Sequence, residues 1–404
     1  MKKLFILIFS FVLVWSCTEE YPLKSKNFEN ILIVEATITN ELKQQEILLS
    51  RTSPLDTLAQ IFERNATVNI TDSNNNTYNF AEGSQPGKYL SSSQFQAIPD
   101  VSYQLHIRTS NGEEYTSTQE IMPPVVNIDN INPVKVSANG VEGVQVVLSS
   151  LPVPDEAKYF RYTFEETYKI VAPFHNINDL IYSEENDEYS FVLEQENTRI
   201  CYSSNSSTAI IQTSLDNLNV DRVDNFPIWF IPSNSSLILE RYSIIVKQYV
   251  QSFNSYNFYS VLKELGTVEN ILLENQLGFI RGNIFETQNE NIKVFGFFDV
   301  SPVSVSNRLY FNYSDFDFSR PPYFYPCIQQ KYDINLSCDL DELPRDPDNP
   351  NQSIFDKCLL DRALTREIPE EYYSGREPIF ILVSPACGNC TTFSSNTIPE
   401  FWEE

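Results

Sequence analysis

From residue 31 the chain alternates. Ile31, Ile33 and Glu35 fall on one side of an extended segment, Leu32, Val34 and Ala36 on the other, the period of two that sends successive side chains to opposite faces of a strand. Similar short runs, rich in β-branched and aromatic residues, follow at 47–49, 67–70, 78–80, 87–90, 103–107 and 114–118. Between them lie turn clusters such as Asp72-Ser73-Asn74-Asn75-Asn76 and Asn111-Gly112, whose residues tolerate the backbone of tight turns. About seven strands at this spacing predict a β-sandwich of immunoglobulin-like size over residues 31–124. Met122-Pro123-Pro124 interrupts the pattern, because proline removes a ladder donor and favours isolated extended backbone. A domain boundary is expected there.

A second β-rich series occupies residues 125–404, with runs at 134–136, 144–148, 159–170, 188–193, 209–213, 237–250, 278–283, 293–300 and 307–311. Residues 252–265 instead repeat Phe253, Tyr256, Tyr259 or Ser260, Leu262 and Leu265 at helical spacing, and Gly266 is placed to cap the helix. A shorter helix is expected near 354–364. The fold class is therefore mainly β: an N-terminal sandwich, then a larger β-rich domain with one or two short helices and a cysteine-containing tail.

The first thirty residues change the picture from a β protein to an exported one. Lys2 and Lys3 precede a run of twelve residues, 4–15, apolar except for Ser10. That is too short for a bilayer-spanning helix, which needs about 20 apolar residues, and it fits a signal peptide over 1–16. The run ends Leu13-Val14-Trp15-Ser16-Cys17, which resembles the lipobox of bacterial lipoproteins, with Trp15 as a departure from its strictest form. Acylation of Cys17 would place several chains in the bilayer, each buried methylene contributing about 0.8 kcal/mol. Thr18, Glu19 and Glu20 resemble an acidic export signal for the outer face of the outer membrane, the periplasmic face being the alternative. Residues 17–30 then read as a polar tether, able to reach roughly 45 Å if extended.

Composition excludes some functions. With 28 Lys+Arg against 54 Asp+Glu the net charge is −26 and no basic run occurs, so nucleic acid, whose binding requires clustered cations, is not an expected partner. There are only two His, His106 and His175, and 11 Gly. No G-x-S-x-G, H-E-x-x-H or phosphate-binding glycine loop is present, and neither an enzyme nor a cofactor or metal is expected. Asp339, Asp341, Glu342, Asp346, Asp348 and Asp356 supply oxygen ligands but lack the spacing of a Ca²⁺ loop. They read as a solvated segment.

Beyond Cys17, six Cys remain, Cys201, Cys327, Cys338, Cys358, Cys387 and Cys390. An even number in an exported chain suggests disulfides, with fifteen pairings open. Cys387-Gly388-Asn389-Cys390 has the spacing of a redox motif or half a zinc site, but it lacks the βαβ setting of the first and a second ligand pair for the other. Asp56-Thr57-Leu58 resembles an O-glycosylation acceptor, with Thr57 as the candidate.

Several stretches taken together resemble one family. They include Ile33-Val34-Glu35-Ala36, Leu48-Leu49-Ser50-Arg51-Thr52, Gly112-Glu113-Glu114-Tyr115, Arg241-Tyr242-Ser243, Arg281-Gly282-Asn283-Ile284, Val294-Phe295-Gly296-Phe297-Phe298 and Pro399-Glu400-Phe401-Trp402. They are similar to Bacteroidota outer-membrane lipoproteins built on a domain of unknown function, often encoded beside TonB-dependent receptors. The resemblance implies a noncatalytic, surface-exposed accessory or cargo-capture partner of a TonB-dependent barrel. A free-standing adhesin or glycan-binding module is the alternative. It implies no ligand and brings no catalytic residues with it.

Overall fold

A computed structural model of the chain describes residues 29–53, 60–183, 188–193, 196–216, 218, 220–267, 281–289, 292–333, 363–366 and 379–404. The chain forms two compact units, Met1–Met122 with Glu264–Ser301, and Pro123–Lys263 with Pro302–Glu404. Before Pro123 the strands are β1 (Leu32–Ile38), β2 (Glu46–Arg51), β3 (Ile61–Phe62), β4 (Thr67–Asp72), β5 (Thr77–Glu82), β6 (Lys88–Ser91), β7 (Ser102–Arg108), β8 (Glu114–Ser117) and β9 (Glu120–Ile121). Next come β10 (Ile128–Ala138), β11 (Val141–Ser150), β12 (Tyr159–Val171), β13 (Asn178–Ser183), β14 (Glu188–Leu193), β15 (Ile200–Ser206), β16 (Ile211–Ser214), β17 (Phe226–Pro232) and β18 (Tyr242–Gln251). Helix α1 (Phe253–Thr267) precedes β19 (Ile284–Glu286), β20 (Val294–Val300), β21 (Val303–Val305), β22 (Leu309–Phe311), β23 (Gln330–Asp333), β24 (Ala363–Arg366) and β25 (Ile379–Val383). A single turn, α2 (Pro385–Gly388), follows. The mainly β class expected from the sequence holds.

The first unit takes in more of the chain than residues 31–124, because β19 and β20 return to it. Its strands form one hydrogen-bonded ladder, β19-β8-β7-β4-β5-β6-β2-β1-β20, with β3 on β2 and β9 on β7. Alternation selects the inner face: Leu32, Val34, Ala36 and Ile38 of β1 are buried, as are Val68, Ile70, Leu105 and Ile107 across the ladder, and all belong to one core. β20 pairs in parallel with β1, Gly296 opposite Val34, and is buried at all but one position, as a strand covered on both faces must be. Gly296 has φ +140°, and a Cβ there would lie 2.0 Å from the Val34 carbonyl oxygen. Only glycine fits.

Asn283 closes the ladder's end. Its side-chain oxygen accepts from the Phe298 N–H at 2.8 Å while its amide donates to the Phe298 carbonyl at 2.9 Å, so one side chain serves β20 as a neighbouring strand would. The same amide also donates to Glu120 at 2.9 Å.

The second unit is built round two facing sheets, with β13-β14 and β23-β25-β24 as further small sheets. Sheet β10-β11-β17 and sheet β15-β12-β18-β21, with β16 on β12 and β22 on β18, bury Val144, Val146, Ile228 and Ile231 from one side and Phe160, Tyr162, Ile244 and Val246 from the other in a single core. Helix α1 lies against β12, where Tyr159 meets the rings of Phe253 and Tyr256 at 5.5 and 5.0 Å. The Arg161 guanidinium is held between Tyr249 and Tyr259 at 4.6 and 4.7 Å.

Four expectations of local structure change. Helix α1 runs through Gly266 to Thr267 instead of stopping at a glycine cap. Residues 237–250 are not one strand: Ser236–Ile238 is a 3-10 turn whose N-cap, Ser235, accepts from the Leu237 N–H, and β18 starts at Tyr242. The strand expected at 278–283 is displaced to β19, with 278–280 outside the described residues. Ala363 and Leu364, expected in a helix, begin β24 and pair with β25, the rest of that segment lying outside the described residues.

Candidate functional site

The cysteines mark the region where distant parts of the chain converge. Cys201 of β15 is bonded to Cys390, and Cys327 to Cys387 of α2. The two cysteines of the Cys-x-x-Cys spacing therefore serve different bridges, and their separation of three reflects one turn of chain held at two points. Loops closed across sequence separations of 189 and 60 restrict the unfolded chain by about 5 and about 4 kcal/mol in the entropic description. Hydrogen bonds lay the same turn onto the body of the unit: Phe174 N–H donates to the Cys387 carbonyl at 3.0 Å and Cys390 N–H to the Thr198 carbonyl at 2.9 Å. Tyr323 donates to the Ala386 carbonyl at 2.9 Å, and its ring meets Phe324 and Phe393. Burial, then the neighbouring Tyr325, pushes the Tyr323 hydroxyl up to about 12.

Among the described residues each buried acid has a partner. Arg51, 10% exposed, reaches Glu63 and Glu113, and Tyr115 donates to Glu113 at 2.9 Å. Burial opposes the charge of Glu113, but hydrogen bonds from Asn111, Tyr115 and Arg51 outweigh it and lower its pKa. In the second unit Glu166 accepts from the buried Tyr242 hydroxyl at 2.6 Å and from Asn205 at 3.3 Å. Burial first, then the charge of Glu166, raises the Tyr242 pKa. Burial, opposed by hydrogen bonds from Thr118 and Asn283 and reinforced by Asp299, raises that of Glu120. Asp72 accepts from the backbone of Asn74 and Asn76, the Asn76 amide and the Tyr78 hydroxyl, and so ties a turn.

These contacts give residues of several stretches named above an architectural role. Arg51 and Glu113 make one ion cluster, Tyr242 is the donor to Glu166, and Asn283 and Gly296 shape the two sides of β20. A family model described as "Domain of unknown function (DUF4249)" matches residues 18–307. The chain belongs to the DUF4249 family. The comparison with curated proteins gave no match. The matched span of this DUF4249 chain includes Cys201 but ends before Cys327, Cys387, Cys390 and the Pro399–Trp402 stretch, so the clamp joins the family region to a segment beyond it.

Cys17, Thr18, Glu19, Glu20, Thr57, Cys338 and Cys358, together with the acidic stretch 339–356, lie outside the described residues. Among the described residues no cluster of three or more His, Cys, Asp or Glu is placed to hold a metal ion. Nor is any helix among them long and apolar enough to cross a membrane. His106 lies between Thr71 and Thr116, 3.0 and 3.3 Å away, and burial lowers its pKa. Sequence reasoning missed Glu166, although a signal was there. Phe160, Tyr162, Phe164, Tyr168 and Ile170 alternate along β12 as its inward positions, and Glu166 interrupts them in phase. An acid on the apolar side of a strand implies a buried partner.

Proposed function

We propose that this DUF4249 protein is a noncatalytic lipoprotein, held in the outer membrane by acyl chains on Cys17 and working on the cell surface as an accessory or cargo-capture partner of a TonB-dependent barrel. The observation that carries it is the short apolar run ending at Ser16-Cys17, which supplies an export leader and a thiol at the position where an anchor is attached. The two long-range bridges support the same compartment, since disulfides persist where the surroundings are oxidising. The buried acids and Arg51 act as ties between strands, which suits a rigid binding or scaffold role. Partnership with a barrel is the role that the family resemblance implies.

Two experiments test the proposal. Cys17→Ala should move the protein from the membrane to the soluble fraction, and retention on membranes refutes the anchor. Crosslinking in intact cells should then couple the anchored protein to an outer-membrane barrel. Recovery of the protein alone across several mild crosslinkers refutes the partnership.

A further inference from the structure

In a chain of net charge −26, cations gather at one place on the second unit. β15, β12, β18 and β22 are neighbours, with Tyr202 opposite Lys169 and Ser243 opposite Tyr310. The Lys169 N–H donates to the Arg241 carbonyl, and Arg308 donates to Ser243 at 3.1 Å. Across β15, β12 and the starts of β18 and β22 this makes a row of Tyr202, Lys169, Arg241, Tyr310 and Arg308 that combines aromatic and cationic side chains.

Residues 401–404 lie on that row as a ligand would. Phe401 sits under the Arg308 guanidinium at 3.6 Å, and its carbonyl accepts from the Tyr310 hydroxyl at 2.6 Å. Trp402 meets Tyr202 and Tyr310 edge-on, with centroids 4.9 and 5.7 Å apart. Glu404 takes Lys169 at 2.6 and 2.9 Å, and Tyr202 at 3.5 Å. Lys169 holds the Glu404 carboxyl below its usual range, with Tyr202 and Arg241 adding to the effect.

The fit is incomplete. Arg241 Nε and Trp402 Nε1 are both buried with no hydrogen-bond partner, although Arg241 stacks on Tyr310 at 4.6 Å. Phe401 remains 42% exposed and the Glu404 side chain 67%. The segment is thus held by a few ring and charge contacts while much of Phe401 and Glu404 stays open to water.

We propose that this row is a recognition site for a partner's peptide segment carrying an aromatic pair followed by acids, and that residues 401–404 fill it in cis as a displaceable stand-in. The ligand class follows from the occupant and from charge complementarity: aromatic side chains for Tyr202, Tyr310 and Arg308, and carboxylates for Lys169 and Arg241. The proposal goes beyond the lipoprotein reading and does not depend on the anchor at Cys17.

The probe is a labelled peptide, Pro-Glu-Phe-Trp-Glu-Glu, titrated against the full chain and against a Trp402→Ala/Glu404→Ala variant. The variant should bind it about tenfold or more tightly than the unaltered chain, whose own segment competes at the high effective concentration of a tethered ligand. Adding Lys169→Glu, or raising the salt, should remove the binding. A folded variant that binds no better than the unaltered chain overturns the proposal, as does binding indifferent to Lys169→Glu. Should the variant not fold, the unaltered chain serves: a saturating Pro-Glu-Phe-Phe-Glu-Glu peptide should make Trp402 more accessible to acrylamide quenching, and no change overturns the proposal. A concentration-dependent dimer abolished by Trp402→Ala would assign the row to exchange between copies and overturn the partner reading.

Discussion

Replacing Asn283 with alanine removes one side chain and unpairs a strand. Its amide satisfies both backbone groups of Phe298, a residue with no exposed surface, on a strand whose other edge is paired to β1. A buried donor or acceptor left without a partner costs about 1–3 kcal/mol. Partial access of water to the half-buried Asn283 position discounts the pair to a total of about 2–4 kcal/mol. The assay is hydrogen exchange of residues 294–300, whose amides should exchange faster, together with a lower urea midpoint for the first unit. Asn283→Asp discriminates further. It keeps the acceptor for Phe298 N–H but adds a carboxylate beside Glu120, whose pKa burial already raises, so this variant should be the weaker of the two at neutral pH and recover as acid neutralises the cluster. Unchanged exchange at 294–300 in Asn283→Ala would refute the claim that this side chain stands in for a strand.

Gly296→Ala should be worse still, losing soluble protein, since the new Cβ would meet the Val34 carbonyl at 2.0 Å and at φ +140° no relaxation is cheap; a normal melting curve would refute the parallel packing. Reduction should expose residues 320–333 and 379–393 to protease before the first unit melts, because both described bridges lie in the second unit; equal cleavage with and without reductant would refute their structural role. For His106, burial lowers the folded pKa, so the unfolded state binds more protons once the pH drops below about 6.5. Its stabilisation is complete above that value and declines toward the folded pKa, and His106→Gln should flatten the stability profile below about pH 6.5. An unchanged slope would show that the ring titrates freely.

Local features were legible in the sequence and long-range pairing was not. Alternation at 31–38 and 103–107, the turn at Asp72, the break at Pro123 and the helix near 253 all rest on neighbours within a few residues, so composition exposes them. The return of β19 and β20 to the first unit has no local signature, because a continuously apolar Val294-Phe295-Gly296-Phe297-Phe298 run suits any buried strand. Leu237-Ile238-Leu239 looked extended by hydrophobicity, yet the Ser235 cap bends it. Four cysteines resolved two of their pairings only in three dimensions, where Cys387 and Cys390 face different partners. Arg51, Glu113, Tyr242 and Asn283 carry no local sign of a role, and geometry makes each of them a tie between strands.

The parallel contact of Leu32 with Val294 and of Ile38 with Val300 sets a timetable for biogenesis. A ribosome must add more than 260 residues after Leu32 before one flank of the opening strand meets its mate, and closing so long a loop is slow. Until then that flank is an adhesive margin, open to the wrong neighbour.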